Sequence, residues 1–328
     1  MNIFVTGGAG YIGSATAEAL IEAGHTVTVY DSLVTGYRQA VPEATRFIHA
    51  DLADGEALTA ALAGEKYDAV MHFAAFIEAG ESMKEPGKFF HNNLVNSLHL
   101  IEAATRAGIG RFVLSSSAAV YASSDEPLTE DSPLDPANVY GFTKLSIEQA
   151  MDWYHQIYGL HFAALRYFNA AGAVSGRGEV HQPESHLIPL VLKVALGQAD
   201  AAQIYGTDYP TPDGTCIRDY IHIADLVAAH LLALGALNEK DKLIYNLGNG
   251  AGYSVNQVIE TARRVTGGEI PVVESPRRPG DAPWLVASSE KIRRELGWQP
   301  QHPDLGDIVA SAWEWHRTHP NGFREVGG

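Results

Sequence analysis

Short apolar runs alternate with stretches of helical periodicity through the first half of the chain. Apolar runs lie at the N-terminus and at residues 26–30, 46–49, 69–73, 111–115 and 162–166. Between them, residues 14–23, 56–63, 89–107 and 139–158 carry apolar side chains at helical spacing. Strands followed each time by a helix predict a parallel sheet covered on both faces, an α/β doubly wound architecture. Right-handed crossovers bring the carboxyl ends of such strands to one edge, where ligands bind. Asp51 and Leu52, Phe73 to Ala75, Ser115 to Ser117, and Tyr167 to Asn169 all fall on that edge. Past Ala170 the texture changes to a glycine-rich turn, scattered prolines and shorter periodic segments. The division expected is therefore 1–170 and 171–328, the latter a smaller, mixed α/β lobe. A helix at 219–237 and a strand at 243–247 are expected to return, roughly over 219–248, to the first sheet. Two further helices, 288–296 and 305–316, form the tail.

The first turn carries chemistry. Gly8-x-Gly10-x-x-Gly13, within Thr6-Gly-Gly-Ala-Gly-Tyr-Ile-Gly13, lies between a strand and a helix. Glycines there permit a tight turn, close approach of a pyrophosphate, and helix–strand packing, the dinucleotide (Rossmann) fingerprint. The helix N-terminus offers free N–H groups to the phosphates. Asp31 ends the second strand, 18 residues past Gly13. A carboxylate there accepts from both ribose hydroxyls and repels a 2′-phosphate, which favours NAD over NADP.

Tyr140 and Lys144 lie four residues apart, on one face of a predicted helix that Asn138 caps. A phenol with a pKa of about 10 is a poor base at neutral pH. A neighbouring cation and the positive first turn of a helix are expected to favour the phenolate. The serine run 115–117 supplies hydroxyls beside it.

Composition narrows the function classes. Hydrophobic residues make up 46% and charged residues 19% of the 328, a globular composition. The net charge of −16 argues against nucleic acid or an anionic membrane as partner. No apolar stretch approaches a membrane span, and the chain enters a strand at once, so a soluble, cytoplasmic protein is expected. The single cysteine, Cys216, suits a reducing compartment. The 14 histidines suggest no metal site, and His316-x-x-His319 reads as a helix terminus. In so acidic a chain Arg218 and the pair Arg277 and Arg278, in a proline-bracketed loop at 275–283, stand out as candidates for a diphosphate.

Thr6-Gly-Gly-Ala-Gly-Tyr-Ile-Gly13, the Ser117/Tyr140/Lys144 triad, Arg166-Tyr-Phe-Asn169, the segment from Asp208 to His222, and Tyr245-Asn-Leu-Gly248 together carry a resemblance. The chain resembles the UDP-glucose 4-epimerases of the extended short-chain dehydrogenase/reductase superfamily. The likeness runs from Met1 to about Pro320. The resemblance implies Ser117, Tyr140 and Lys144 as the catalytic residues and NAD as the cofactor. It implies contacts to NAD from Gly7, Gly8, Gly10, Tyr11, Ile12, Gly13, Asp31, Asp51, Leu52, Phe73, Ala74, Ala75, Asn92, Ser115, Tyr140, Lys144 and Tyr167. It also implies that Asn169, His186, Leu187, Gln203, Tyr205, Arg218, Arg278, Asp281 and Leu285, with Ser117 and Tyr140, hold the UDP-sugar. Three positions depart from the family pattern: Ile77 where a Lys is common, His186 for an Asn, and Leu285 for a Tyr or a small residue. Leu285 is expected to admit UDP-glucose and UDP-galactose more readily than their 2-acetamido forms. A homodimer through helices 89–107 and 139–158 is expected from the family.

The other readings are a 4-epimerase of another UDP-sugar, a nucleotide-sugar dehydratase, and a non-catalytic NAD-binding regulator. Ala118 and Ala119 follow the serines where a dehydratase is expected to place acids. The intact Tyr140/Lys144 pair counts against the regulator.

Overall fold

Seven parallel strands organise the computed structural model, which describes residues 1–278 and 281–323. They are β1 (Asn2–Thr6), β2 (Thr26–Asp31), β3 (Arg46–His49), β4 (Ala69–His72), β5 (Arg111–Ser117), β6 (His161–Tyr167) and β7 (Lys242–Leu247). Their spatial order is β3-β2-β1-β4-β5-β6-β7, with every neighbouring pair parallel. The chain runs outward from β1 to β3, then crosses back to β4. That reversal opens a crevice above β1 and β4, the place where open α/β sheets bind ligands.

Both faces of the sheet are covered, which is why its strands read as nearly continuous apolar runs. On one face α1 (Tyr11–Glu22) and α6 (Ile223–Ala236) pack Leu20, Leu226 and Ala233 against Val5 and Val29. On the other, α2 (Gly55–Ala63), α3 (Asn96–Arg106) and α4 (Val139–Tyr158) pack Leu58, Leu100 and Met151 against Phe4 and Phe162.

A second core gathers α5 (Leu187–Ala195), α7 (Val255–Thr266) and α9 (Leu305–Thr318), with Leu192, Val258 and Ile308 at its centre. Short strands edge it: Ala202–Tyr205 pairs with Val272–Ser275, and Ile217–Arg218 lies between Tyr253–Ser254 and Trp284–Leu285. The helix α8 (Glu290–Leu296) ends at Gly297, and buried Trp298 then donates to the carbonyl of Asp225 at 3.0 Å.

The elements depart from expectation in two informative places. Residues 219–222 are not helical: Tyr220–His222 pairs with Asn169–Ala171, and His222 caps α6 by accepting from the N–H of Ala224. The Asp219 carboxylate accepts from the N–H groups of Asn249, Gly250 and Ala287, which ties three loops together. Long-range bonds of this kind leave no local periodicity. The helix expected at 89–107 begins instead with a π-helical segment, Phe90–Val95, before α3. Such segments recur at functional sites, and here buried Asn93 braces the loop after β4 through both the N–H and the carbonyl of Phe76.

Candidate functional site

The crevice above β1 and β4 holds a cavity lined by the ends of β1, β2, β4 and β5. Gly7 makes its tight turn, with φ +74°, and a Cβ there would sit 2.4 Å from the amide nitrogen of Ala74. A Cβ on Gly13 would lie 2.2 Å from the carbonyl oxygen of Gly7. Gly10 is the N-cap of α1 and brings no side chain, so Gly10, Tyr11, Ile12 and Gly13 turn the helix start toward the cavity. Gly8 corrects the expectation. It is not among the residues lining this cavity; a Cβ there would meet the Val29 side chain at 2.7 Å. Glycines 7, 10 and 13 line the cavity, and Gly8 packs against Val29 of β2.

Asp31 stands at the far wall. Its carboxylate accepts from the N–H of Ala9 at 2.9 Å and of Leu33 at 2.8 Å. Burial pushes its pKa up and those two amides pull it back. Two lone-pair directions remain for an incoming hydroxyl. Asp51, Leu52, Phe73, Ala74, Ala75, Ile77, Asn92, Ser115, Ser117, Tyr140, Lys144 and Tyr167 line the same cavity. A cradle that excludes Cβ atoms, next to a bare helix start and a carboxylate, fits a dinucleotide.

The reactive side chains come from β5 and α4. Alternation along β5 turns Ser115 and Ser117 to the cavity and buries Ser116, which donates to Glu148. Asn138 caps α4, its side chain accepting from the N–H of Gly141 at 2.9 Å. Gly141 is required there, because a Cβ would stand 2.1 Å from the carbonyl oxygen of Ala119. That close approach brings Tyr140 beside Ser117.

The electrostatics correct a second expectation. Burial pushes the Tyr140 phenol up to about 12, and the Ser117 hydroxyl, not Lys144, is what draws it down. Lys144 is itself buried and lowered to about 8. Its Nζ donates to the carbonyl of Ser115 at 2.7 Å and lies 6.0 Å from the centre of the Tyr140 ring. Burial thus outweighs the hydroxyl contact in setting the phenol of Tyr140. Positive charge brought into the cavity would favour the phenolate further.

A second cavity adjoins the first, and Asn169, Glu179 and His186 border both. Leu187, Gln203, Tyr205, Arg218, Arg278 and Asp281 line it. Arg218 is oriented by the carbonyls of Ile217 and Ala282 and by Asp281 at 3.2 Å. Arg278 stacks over Tyr205, 3.8 Å from the ring centre. Arg277 takes no part: it pairs with Asp208 and stacks on Tyr209 outside the cavity. Pro279 and Gly280 of the expected loop, and residues 324–328 of the expected second lobe, lie outside the described residues. Leu285 lines neither cavity and packs with Phe168 and Ala287 instead, so it does not stand where a sugar-range filter was expected.

Two groupings escaped sequence reasoning. Glu148 and Arg166 form a buried pair beneath the triad. Glu179, His181, Glu184 and His186 converge between the two cavities; the repeat Glu-x-His-x-x-Glu-x-His is their signal in the sequence, a spacing unlike the common zinc motifs. His316 and His319 do end a helix, with His319 stacked on Trp315.

Comparison with known proteins agrees with this geometry. Residues 3–248 match the NAD dependent epimerase/dehydratase family. A UDP-glucose 4-epimerase of Lacticaseibacillus casei is 47% identical over 327 residues, 98% of this chain and 99% of that protein. A crystal structure of a UDP-glucose 4-epimerase superposes with a TM-score of 0.96 at 45% identity, covering 99% of this chain and 100% of the other. That of the Brucella ovis UDP-glucose 4-epimerase in complex with NAD gives 0.92 at 41% identity, over 95% and 97%. The chain belongs to the NAD dependent epimerase/dehydratase family.

Proposed function

We propose that this chain is an isomerase, a NAD-dependent 4-epimerase that interconverts UDP-glucose and UDP-galactose. The observation that carries the reading is the placement of Ser117, Tyr140 and Lys144 at the floor of a dinucleotide cradle that opens into an arginine-bearing cavity. Relatives of near-equal length point to the same substrate.

NAD, when bound, takes up and later returns the hydrogen of sugar C4 with its electron pair and adds positive charge beside the phenol. Tyr140, as phenolate, accepts the proton of the 4-hydroxyl, and its hydroxyl returns that proton after the keto sugar has turned over. Ser117 hydrogen-bonds and positions the reacting oxygen. Lys144 holds positive charge near the phenol while its bond to the Ser115 carbonyl fixes it in place. Arg218 and Arg278 anchor the diphosphate, which leaves the hexose free to present either face. Turnover of UDP-galactose to UDP-glucose by the purified protein tests the reading; no conversion by NAD-loaded enzyme would refute it.

Two predictions arise from this assignment. Asp31→Ala narrows the preference of the protein for NAD over NADP, read as the ratio of the two affinities. That ratio separates ribose recognition from the carboxylate's second duty of holding the Ala9 turn; an unchanged ratio would place the discrimination elsewhere. Arg278→Ala raises KM for UDP-galactose and makes the remaining binding less sensitive to salt, since one charge contact to the diphosphate is gone. An unaltered KM would move the phosphate site.

The reading includes a cytoplasmic homodimer. The outer face of α4 exposes Phe142, Trp153 and Ile157, which suits a partner's helices. Among the described residues no helix is long and apolar enough to cross a membrane. Sedimentation and cell fractionation test these two points, and a monomer or a membrane-bound protein would contradict them.

A further inference from the structure

The reaction leaves unused a group of four ligating side chains. The segment between the strand Arg177–Gly178 and α5 brings Glu179, His181, Glu184 and His186 together, one ligand atom from each within 4.8 Å of the others. Nδ1 of His186 lies 3.0 Å from Oε1 of Glu179 and 3.0 Å from Oε1 of Glu184. Nδ1 of His181 lies 3.4 Å from Oε1 of Glu179 and 3.8 Å from Oε2 of Glu184. Ligands about 2.0–2.1 Å from a tetrahedral zinc ion are separated from one another by about 3.3 Å. These four distances bracket that value, and the four ligand atoms as a set, spread over as much as 4.8 Å, draw together by about an ångström to hold a small ion.

Burial makes a counter-charge necessary. The Glu179 and Glu184 side chains are only 6% and 2% exposed, and two carboxylates so placed require positive charge between them. Two imidazolium rings are one source, each favoured by the carboxylates it faces, and a bound cation is another; the ring centres stand 4.9 Å apart, so two cationic rings repel each other. His181 Nδ1 is moreover buried without a hydrogen-bond partner, a poor position for an N–H donor. A divalent cation bound by two neutral imidazoles removes both difficulties, since it uses Nδ1 as an acceptor and neutralises both carboxylates. The surroundings fix the ligands as an outer shell does at a metal. The Glu184 carboxylate accepts from the N–H groups of Ser185 and His186 at 2.9 Å each and of His181 at 3.3 Å.

We propose that Glu179, His181, Glu184 and His186 form a structural zinc site that pins the segment separating the two cavities. Two nitrogen and two oxygen ligands suit zinc better than calcium or magnesium, which take six or more oxygen ligands. Four protein ligands fill the coordination sphere, so the ion is structural and holds no substrate. Glu179 and His186 each border both cavities, and the ion thereby braces their shared wall. His186 then serves the metal at a position where the family resemblance expects a substrate contact.

The test reads metal, not turnover, and is thus independent of the epimerase reading. The NAD-loaded protein, purified without chelator, is expected to carry one zinc per chain by elemental analysis. After stripping, ZnCl2 alone is expected to rebind one-to-one with submicromolar affinity and to raise the melting temperature. His181→Gln should abolish both effects. Cobalt in place of zinc is expected to give the intense visible bands of a tetrahedral site, a measurement on wild-type protein that stands even if the variant fails to fold. Absence of saturable zinc binding by the stripped protein, equal binding by His181→Gln, or a pale octahedral cobalt spectrum would each overturn the proposal.

Discussion

Tyr140→Phe is expected to lower kcat by at least about two orders of magnitude, the contribution of one general base, while the fold and the bound cofactor persist. The substitution removes one oxygen and keeps the ring that fills the space beside Ser117. The backbone bond from Tyr140 N–H to the Ser82 hydroxyl at 3.1 Å survives, as does the cap on α4. What disappears is the hydroxyl that the proposed mechanism uses to take the proton from the sugar 4-hydroxyl. Lys144 cannot substitute, because its Nζ is committed to the Ser115 carbonyl. Steady-state rates on UDP-galactose, together with the NAD content of the purified variant, check the prediction. Rates near wild type would remove Tyr140 from the mechanism.

The parts of this site that sequence exposes are those made by local rules. A glycine turn between strand and helix, a carboxylate at the end of the second strand, an Asn cap and an i, i+4 pair each leave a mark within a few residues. The strands of the sheet showed themselves because burial on both faces leaves runs such as residues 69–71 without polar interruption. Contacts between distant segments leave none. Gly7 and Gly8 are equivalent in sequence, and only the approach of Ala74 makes Gly7 the turn. Leu285 looked like a pocket residue from its place in a pattern, yet strand pairing of Ile217 with Trp284 and Arg218 with Leu285 directs it to a separate apolar cluster. The pKa of Tyr140 follows the same rule: spacing predicted a cation beside a phenol, whereas its burial, a property of the whole fold, is the larger influence.

Glu148→Gln is expected to destabilise the protein by about 3–5 kcal/mol, the scale of breaking a buried ion pair by removing one partner. Glu148 lies one turn beyond Lys144 on α4, and the Glu148 and Arg166 side chains are 4% and 3% exposed. Nη2 of Arg166 meets Oε2 of Glu148 at 2.6 Å, and Nε meets Oε1 at 3.0 Å. The remaining donor, Nη1, goes to the hydroxyl of Tyr121 at 2.8 Å, which donates in turn to Asn246 at 2.7 Å. Neutralising the carboxylate strands the guanidinium in the core with no counter-charge, so the loss should far exceed that of a surface pair, about 0–1 kcal/mol. Replacing both residues with apolar ones of similar volume should cost much less, which separates the stranded charge from lost packing. The same carboxylate supports the Lys144 ammonium, raising a pKa that burial has brought down to about 8. In Glu148→Gln the ammonium is therefore lost at lower pH, and the alkaline fall in activity moves toward neutrality. Urea denaturation and a pH–rate profile on the same variant measure the two effects. A stability loss within the surface-pair range, or an unmoved alkaline limb, would show that Arg166 finds another partner or that Lys144 does not depend on the charge beneath it.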